Sequence, residues 1–268
     1  MVEGYLENGV YYRHNAIDER RRTLVFVHGL SGSLSAWRPY EERFGNDFNL
    51  LFFDLRGHGK SIKKNNFNYY ALELIADDIG ALAKLLGLEK FVLVGHSFGA
   101  LLALDFVKKR PEMVSRLILL APDYRISQTL RAKIARPFFG LARVVDLKPF
   151  RERAGIHIDY SKFFNTGDWD LKRIFMDIKN TSLRVYCYCI WQADKIDGDK
   201  MIENLKLPTL IVHGKKDTVF PCSDSARMVK KISGAILKII PNANHILVIN
   251  NPEEVGDEIE RFAEQNNR

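Results

Sequence analysis

Six short apolar runs recur along this 268-residue chain, at residues 24–27, 50–53, 91–94, 117–120, 210–212 and 236–240. Runs of this length without polar alternation suit strands covered on both faces. Helical spacing lies between them, most clearly over 71–86, where Leu72, Ile75, Ile79, Leu82, Leu85 and Leu86 recur at intervals of three and four. That alternation predicts an α/β fold: a mostly parallel sheet with helices on both faces and ligands held at the carboxyl ends of the strands. Ahead of the first run, Asn8-Gly9 stands between β-prone residues and supplies the positive φ angles of a tight hairpin. Two antiparallel strands therefore precede the six, making an eight-stranded sheet.

The rhythm breaks between Asp123 and Leu205. No core strand stands out there, but Leu171, Ile174, Phe175 and Ile178 form one helical stripe. The expected organisation is a core of residues 1–122 and 206–268, with 123–205 inserted as a helical cap, or lid. No internal repeat or polar linker divides the chain further. With 46% hydrophobic and 27% charged residues, it has enough apolar surface to bury a core, which excludes disorder.

No run of about 18 apolar residues is present, so no membrane-spanning helix is expected. The first residues lack the basic and apolar regions of a signal peptide, and the reading is a soluble cytoplasmic protein. Cys187, Cys189 and Cys222 are odd in number and fit reduced thiols. With scattered histidines and no companion cysteine cluster, no metal site is expected. Asn180-Thr181-Ser182 is read as a chance match to a glycosylation acceptor. The net charge of +7 permits nucleic-acid binding, but the basic residues form no recognised module, so no nucleic-acid partner is expected.

The chemistry centres on Val94-Gly95-His96-Ser97-Phe98-Gly99-Ala100, which follows a buried-strand run and precedes the helical spacing of Leu101, Leu104 and Val107. G-x-S-x-G in that setting marks a sharp strand-to-helix turn that pushes the serine hydroxyl out of the sheet, with the glycines removing colliding side chains. A serine hydroxyl needs an adjacent base, normally a histidine oriented by a carboxylate. His245 lies in a polar turn after the last strand run, and Asp217 in the loop after the preceding one.

The order Ser97, Asp217, His245 resembles the α/β-hydrolase superfamily, in its capped carboxylesterase and lipase-like branch. Val27-His28-Gly29-Leu30 and Asp54-Leu55-Arg56-Gly57-His58-Gly59-Lys60-Ser61 are similar to further blocks of that family, so the likeness spans nearly the whole chain outside the cap. It implies a serine hydrolase with a catalytic triad of Ser97, Asp217 and His245. Asp123, which also follows a strand, competes as the acid; Asp217 is preferred for its loop and its distance before the histidine. The family's oxyanion hole implies backbone N–H donors from Phe98 and, by resemblance, Leu30. Haloalkane dehalogenases and epoxide hydrolases use an aspartate where Ser97 stands, and carbon-carbon bond hydrolases typically carry Trp where Ile246 stands.

Asp54, Arg56 and His58 are read as loop-structuring residues, and His28, His96 and His213 as structural histidines at strand ends. His14 and His157 show no partner and default to solvent or local bonding. Between Tyr124 and Arg153 stand Arg125, Arg131, Lys133, Arg136, Arg143, Lys148, Arg151 and Arg153 against Asp146 and Glu152. This basic stretch is either a solvated face or a site for an anionic acyl thioester such as acyl-coenzyme A. Phe138, Phe139, Phe150, Phe163, Phe164, Phe175, Tyr186, Tyr188 and Trp191 supply either the cap's own core or an acyl pocket. The expected function is hydrolysis of short- to medium-chain acyl esters, with no required cofactor and a small-molecule ester or thioester as partner. An acyltransferase or a ligand-sensing receptor of the same fold is the alternative.

Overall fold

The computed structural model describes residues 1–122, 124 and 150–265. Among them the strands form one eight-stranded sheet in the order β1-β2-β4-β3-β5-β6-β7-β8. They are β1 (Val2–Tyr5), β2 (Tyr11–His14), β3 (Thr23–Val27), β4 (Asn49–Phe53), β5 (Phe91–His96), β6 (Val114–Leu120), β7 (Thr209–Gly214) and β8 (Ile236–Ile240). β1 and β2 pair antiparallel, as do β2 and β4, and every other neighbour pair is parallel. The expected hairpin forms at Asn8-Gly9, where Gly9 takes φ +89°.

The uninterrupted apolar runs follow from burial on both faces. Along β3 to β7, Val25, Val27, Leu51, Phe53, Leu93, Leu117, Leu119 and Ile211 pack into one core layer. It also holds Leu72, Ile75, Ile79 and Leu82 of helix α2 (Leu72–Leu85) and the buried residues of helix α3 (Phe98–Lys109). Alternate residues Leu24, Phe26, Leu50, Phe52, Val92, Val94, Ile118, Leu120, Leu210 and Val212 face the opposite layer. They meet Tyr40 and Phe44 of helix α1 (Arg38–Phe44) and Val255, Ile259 and Phe262 of the C-terminal helix (Pro252–Glu264). The period of two along a strand sends consecutive apolar residues to opposite layers.

One run departs from expectation. β8 is the sheet's last strand, with Ile236 40% and Ile239 38% exposed, so its far side has no sheet partner and its apolar residues are not covered on both faces. Lys238 within it blunts this edge.

The loop after β4 is locked by buried polar groups. Asp54 accepts from the N–H of Leu34 (2.7 Å) and of Lys60 (2.8 Å) and bonds His157 Nε2 at 2.7 Å. His157 thus has a buried partner from across the chain, a correction to its expected solvent or local bonding; His14 bonds locally to the Asn15 carbonyl. Arg56 forks onto Asp78 of α2 at 2.6 and 2.7 Å and donates to the Tyr69 carbonyl at 3.1 Å. His58 bonds the Arg56 carbonyl at 2.9 Å, and His28 accepts from the Leu55 N–H at 3.0 Å.

Breaking a buried pair strands the remaining charge. Asp78→Ala is therefore expected to lower the unfolding free energy in urea by about 3 to 5 kcal/mol, while Leu74→Ala on the exposed side of α2 costs far less.

Candidate active site

β5 ends at His96, α3 begins at Phe98, and Ser97 between them takes φ +52° and ψ −116°. A non-glycine residue holds such a backbone only when its surroundings over-determine it. Here they do. A β-carbon at Gly95 would stand 2.5 Å from the Gly99 carbonyl oxygen, and one at Gly99 would collide with the Val27 carbonyl. Without those side chains α3 starts hard against the ends of β3 and β5. The Ser97 N–H is held by the Leu120 carbonyl at 2.9 Å, and its hydroxyl faces outward.

His245 lies on the loop between β8 and the short helix Leu247–Asn250, and its Nε2 is 2.9 Å from Ser97 Oγ. Its Nδ1 is 2.8 Å from Asp217 Oδ2. The carboxylate only accepts, so Nδ1 carries the proton and Nε2 is left as acceptor for the serine hydroxyl. Asp217 Oδ1 accepts from the N–H groups of Val219 and Phe220, both at 2.8 Å, while His213 Nε2 sits 3.1 Å from Oδ2. Burial pushes the Asp217 carboxyl up, but the bonds from His213, His245 and the Phe220 N–H outweigh it and hold the group well below the usual carboxylate range. Its stabilising contribution is present above its unfolded value and fades only as pH falls far into the acid range.

The neighbouring histidines are structural. His96 Nε2 donates to the His245 carbonyl at 2.9 Å, tying the serine turn to the histidine loop. Burial, with His245 nearby, pushes His96 down to about 3 and keeps it neutral. His213 Nδ1 is 2.7 Å from Ser225 Oγ.

A cavity of about 240 Å³ opens over Ser97 and His245, lined by Gly29, Leu30, Trp37, Trp169, Ile178 and Tyr186 among others. Neither the Leu30 nor the Phe98 backbone N–H has an acceptor among the described residues, so both are free to receive a ligand oxygen. Of the aromatic residues considered for an acyl pocket, Tyr186 lines this cavity, whereas Phe164 and Phe175 are largely exposed. Arg125, Arg131, Lys133, Arg136 and Arg143, together with Asp123, Phe138 and Phe139, lie outside the described residues. Among the described residues no group of three His, Cys, Asp or Glu side chains could hold a metal, the three cysteines are unpaired, and no helix is long and apolar enough to cross a membrane.

The segment between β6 and β7 also adds residues that the sequence reading did not identify. Its described part holds helix α4 (Leu171–Thr181) and helix α5 (Leu183–Asp194), preceded by Asp168. Asp168 Oδ1 accepts the His245 N–H at 2.8 Å, and Oδ2 accepts both the N–H and the hydroxyl of Thr218 at 2.8 Å. One carboxylate thus braces the loops that carry the acid and the histidine. The Thr166 carbonyl accepts from Asn244 and Asn250 at 2.9 and 2.8 Å, and Trp169 Nε1 donates to Thr218 at 2.9 Å. In the cavity wall, Asp177 bonds the Tyr160 hydroxyl at 2.8 Å and Arg173 at 3.2 Å. Burial pushes Asp177 up to about 6 against the pull of both partners. No motif marks Asp168 or Asp177, because each acquires its role from a partner on another element.

Asp168→Asn keeps the size of the side chain but turns one acceptor into a donor facing N–H and O–H groups. Turnover of any substrate processed at Ser97 is expected to fall about tenfold to a hundredfold, in kcat more than in KM, the scale of a lost charge-assisted contact. An unchanged kcat would refute the bracing role.

Residues 22–252 match the family described as alpha/beta hydrolase fold. RutD of Rhizobium rhizogenes, named as a candidate carbamate hydrolase, is 27% identical over 90% of this chain and 92% of its own. The proline iminopeptidase PfmaB of Pestalotiopsis fici is 29% identical over 99% of this chain and all of its own, 100%. Epoxide hydrolase 3 of Xenopus tropicalis is 24% identical over 98% and 78% of the two chains. A thermophilic esterase from Thermogutta terrifontis superposes with a TM-score of 0.74 at 22% identity, over 94% of this chain and 92% of that one, a likeness of fold. With a family match over most of its length and the sheet order and serine turn described above, the chain belongs to the α/β-hydrolase fold family.

Proposed function

We propose that this hydrolase is a serine carboxylesterase acting on short- to medium-chain acyl esters, with Ser97 as nucleophile, His245 as general base and acid, Asp217 as its orienting carboxylate, and residues 123–205 as the cap. The observation that carries the reading is the continuous chain from Ser97 Oγ through His245 to Asp217, at 2.9 and 2.8 Å, beneath an open cavity. His245 takes the hydroxyl proton as Ser97 attacks the acyl carbonyl, and the N–H groups of Leu30 and Phe98 receive the oxyanion. The proton then passes from His245 to the leaving alcohol, and water releases the acid from the acyl-enzyme by the same relay.

A cavity of about 240 Å³ supports the short end of the acyl range, being below the roughly 300 Å³ at which pockets for drug-sized ligands begin. The hydroxyl at position 97 supports acyl transfer chemistry rather than the carboxylate attack of epoxide hydrolases. The three unpaired thiols support a reducing compartment, the cytoplasm. The charge of Arg125, Arg131, Lys133, Arg136 and Arg143 supports an anionic thioester such as acyl-coenzyme A among the substrates; no cofactor is required.

Hydrolysis of a p-nitrophenyl ester series is expected to fall off beyond short acyl chains, and Ser97→Ala to lower kcat by about a thousandfold or more. Trapping by mass spectrometry should find the acyl mass on the Ser97 peptide; an acylated carboxylate instead, or equal rates in both proteins, would sink the proposal. Because its hydrogen bonds keep Asp217 ionised, protonation of that carboxylate is expected to limit kcat/KM only when pH falls far into the acid range, and a loss of activity tracking an ordinary carboxylate would contradict its bonded state. Turnover of an acyl-coenzyme A should weaken with added salt, and a salt-independent KM would remove that substrate class.

A further inference from the structure

Helix α4 stands between two cavities. Arg173, Ile174, Asp177 and Ile178 face the one over Ser97, while Phe175, Met176, Lys179 and Asn180 line a second, of about 380 Å³. Lys63, Arg153 and the chain that follows close its other side. Its described lining contains three cationic side chains and no carboxylate.

Lys63 is the unusual one. It is only 3% exposed, yet among the described residues its ammonium makes no hydrogen bond and no ion pair. Its own backbone N–H is bonded to the Arg153 carbonyl at 3.0 Å, which fixes the two cationic residues side by side. A β-carbon at Gly155 would come within 2.9 Å of Lys63 Nζ, so the glycine leaves the ammonium uncovered where it meets the cavity. Burial, with the Arg153 guanidinium beside it, pushes Lys63 down to about 8 against the attraction of Asp54. Asp54 itself is already held by the Leu34 and Lys60 N–H groups and by His157. Arg153 and Lys179 are likewise without a carboxylate partner among the described residues. Asp54 attracts the ammonium but does not pair with it, and a buried cation without an ion pair is costly, so three cations lining one cavity call for an anion to offset them.

We propose that this second cavity binds a phosphoryl group, with Lys63 at its base and Arg153 and Lys179 closing on the remaining oxygens. A tetrahedral phosphoryl group, with at least two free oxygens sharing its negative charge, answers three cations spread around a cavity better than a planar carboxylate does, and a guanidinium fork suits its oxygens. Ile156 and Phe175, each 66% exposed at the rim, offer apolar surface to the organic part of a phosphate ester. The site is separate from Ser97 and independent of the reaction assigned there.

The test uses the full chain in low-salt buffer free of phosphate and sulfate. Titration calorimetry with inorganic phosphate and pyrophosphate is run beside cosedimentation with phosphatidylglycerol and phosphatidylcholine vesicles. Lys63→Met removes the buried charge. Because Lys63 is buried, the paired variant Arg153→Ala with Lys179→Ala, both on exposed side chains, serves as a second probe, with circular dichroism reporting the fold. Binding of phosphate or pyrophosphate that weakens at least about tenfold in the paired variant supports the site as one for a free phosphate compound. Sedimentation with phosphatidylglycerol alone, lost in the same variant, supports it with a lipid headgroup as the source. No binding in either arm, or equal binding by the parent and the paired variant, overturns it.

Discussion

The close approach of α3 to the sheet is the constraint from which the rest of the site follows. Only a chain without side chains at positions 95 and 99 can turn from β5 into α3 against the Val27 carbonyl. That turn puts Ser97 into its left-handed backbone, aims its hydroxyl away from the sheet and leaves the Phe98 N–H without a helical acceptor. Because β3 and β5 are parallel neighbours, the loop after β3 ends beside the same point and brings Leu30 to the cavity wall there. The strained backbone is held by the two packed layers of the sheet, whose alternating residues leave it no room to relax.

Electrostatics then divides the acidic groups around the cavity. Asp217 and Asp177 are both withdrawn from water, and in each burial favours the neutral form. Asp217 collects two backbone N–H groups and two imidazoles, and remains charged. Asp177 has one phenol and one guanidinium, too few to offset burial, and its titration moves toward neutrality. Asp168 makes three bonds to the loops bearing Asp217 and His245, so the described part of the segment between β6 and β7 helps hold the Ser97–His245–Asp217 chain as well as forming a wall of the cavity. Any movement of that segment is thereby coupled to the orientation of His245.

Much of this was legible in the residues. Each apolar run from 24–27 to 236–240 lies within an observed strand; in the first five this follows because a core strand must be apolar on both faces, while β8 shares the pattern at the exposed edge of the sheet. The hairpin at Asn8-Gly9 and the turn at Ser97 were legible for a related reason: both need backbone angles that few residues tolerate. His245 and Asp217 were found through their order and loop positions, and the structure sets them 2.8 Å apart. The misreading of His157 and the silence of the sequence on Asp168 and Lys63 have one cause. His157 was matched to solvent because Asp54, its partner, stands 103 residues away. Asp168 bridges gaps of 50 and 77 residues to Thr218 and His245, and Lys63 looks like an ordinary surface lysine until the chain around Arg153 closes over it.

The sequence by itself determined the layered sheet, the strand-to-helix turn and the residue types available for a serine-centred reaction. These depend on periodicity and local backbone sterics, which neighbouring residues are enough to specify. The tertiary structure alone decided which carboxylate stays charged, which braces the loops bearing Asp217 and His245, and which lysine is buried without an ion pair among the described residues. Desolvation and hydrogen bonding act through space, between groups that the chain order leaves far apart.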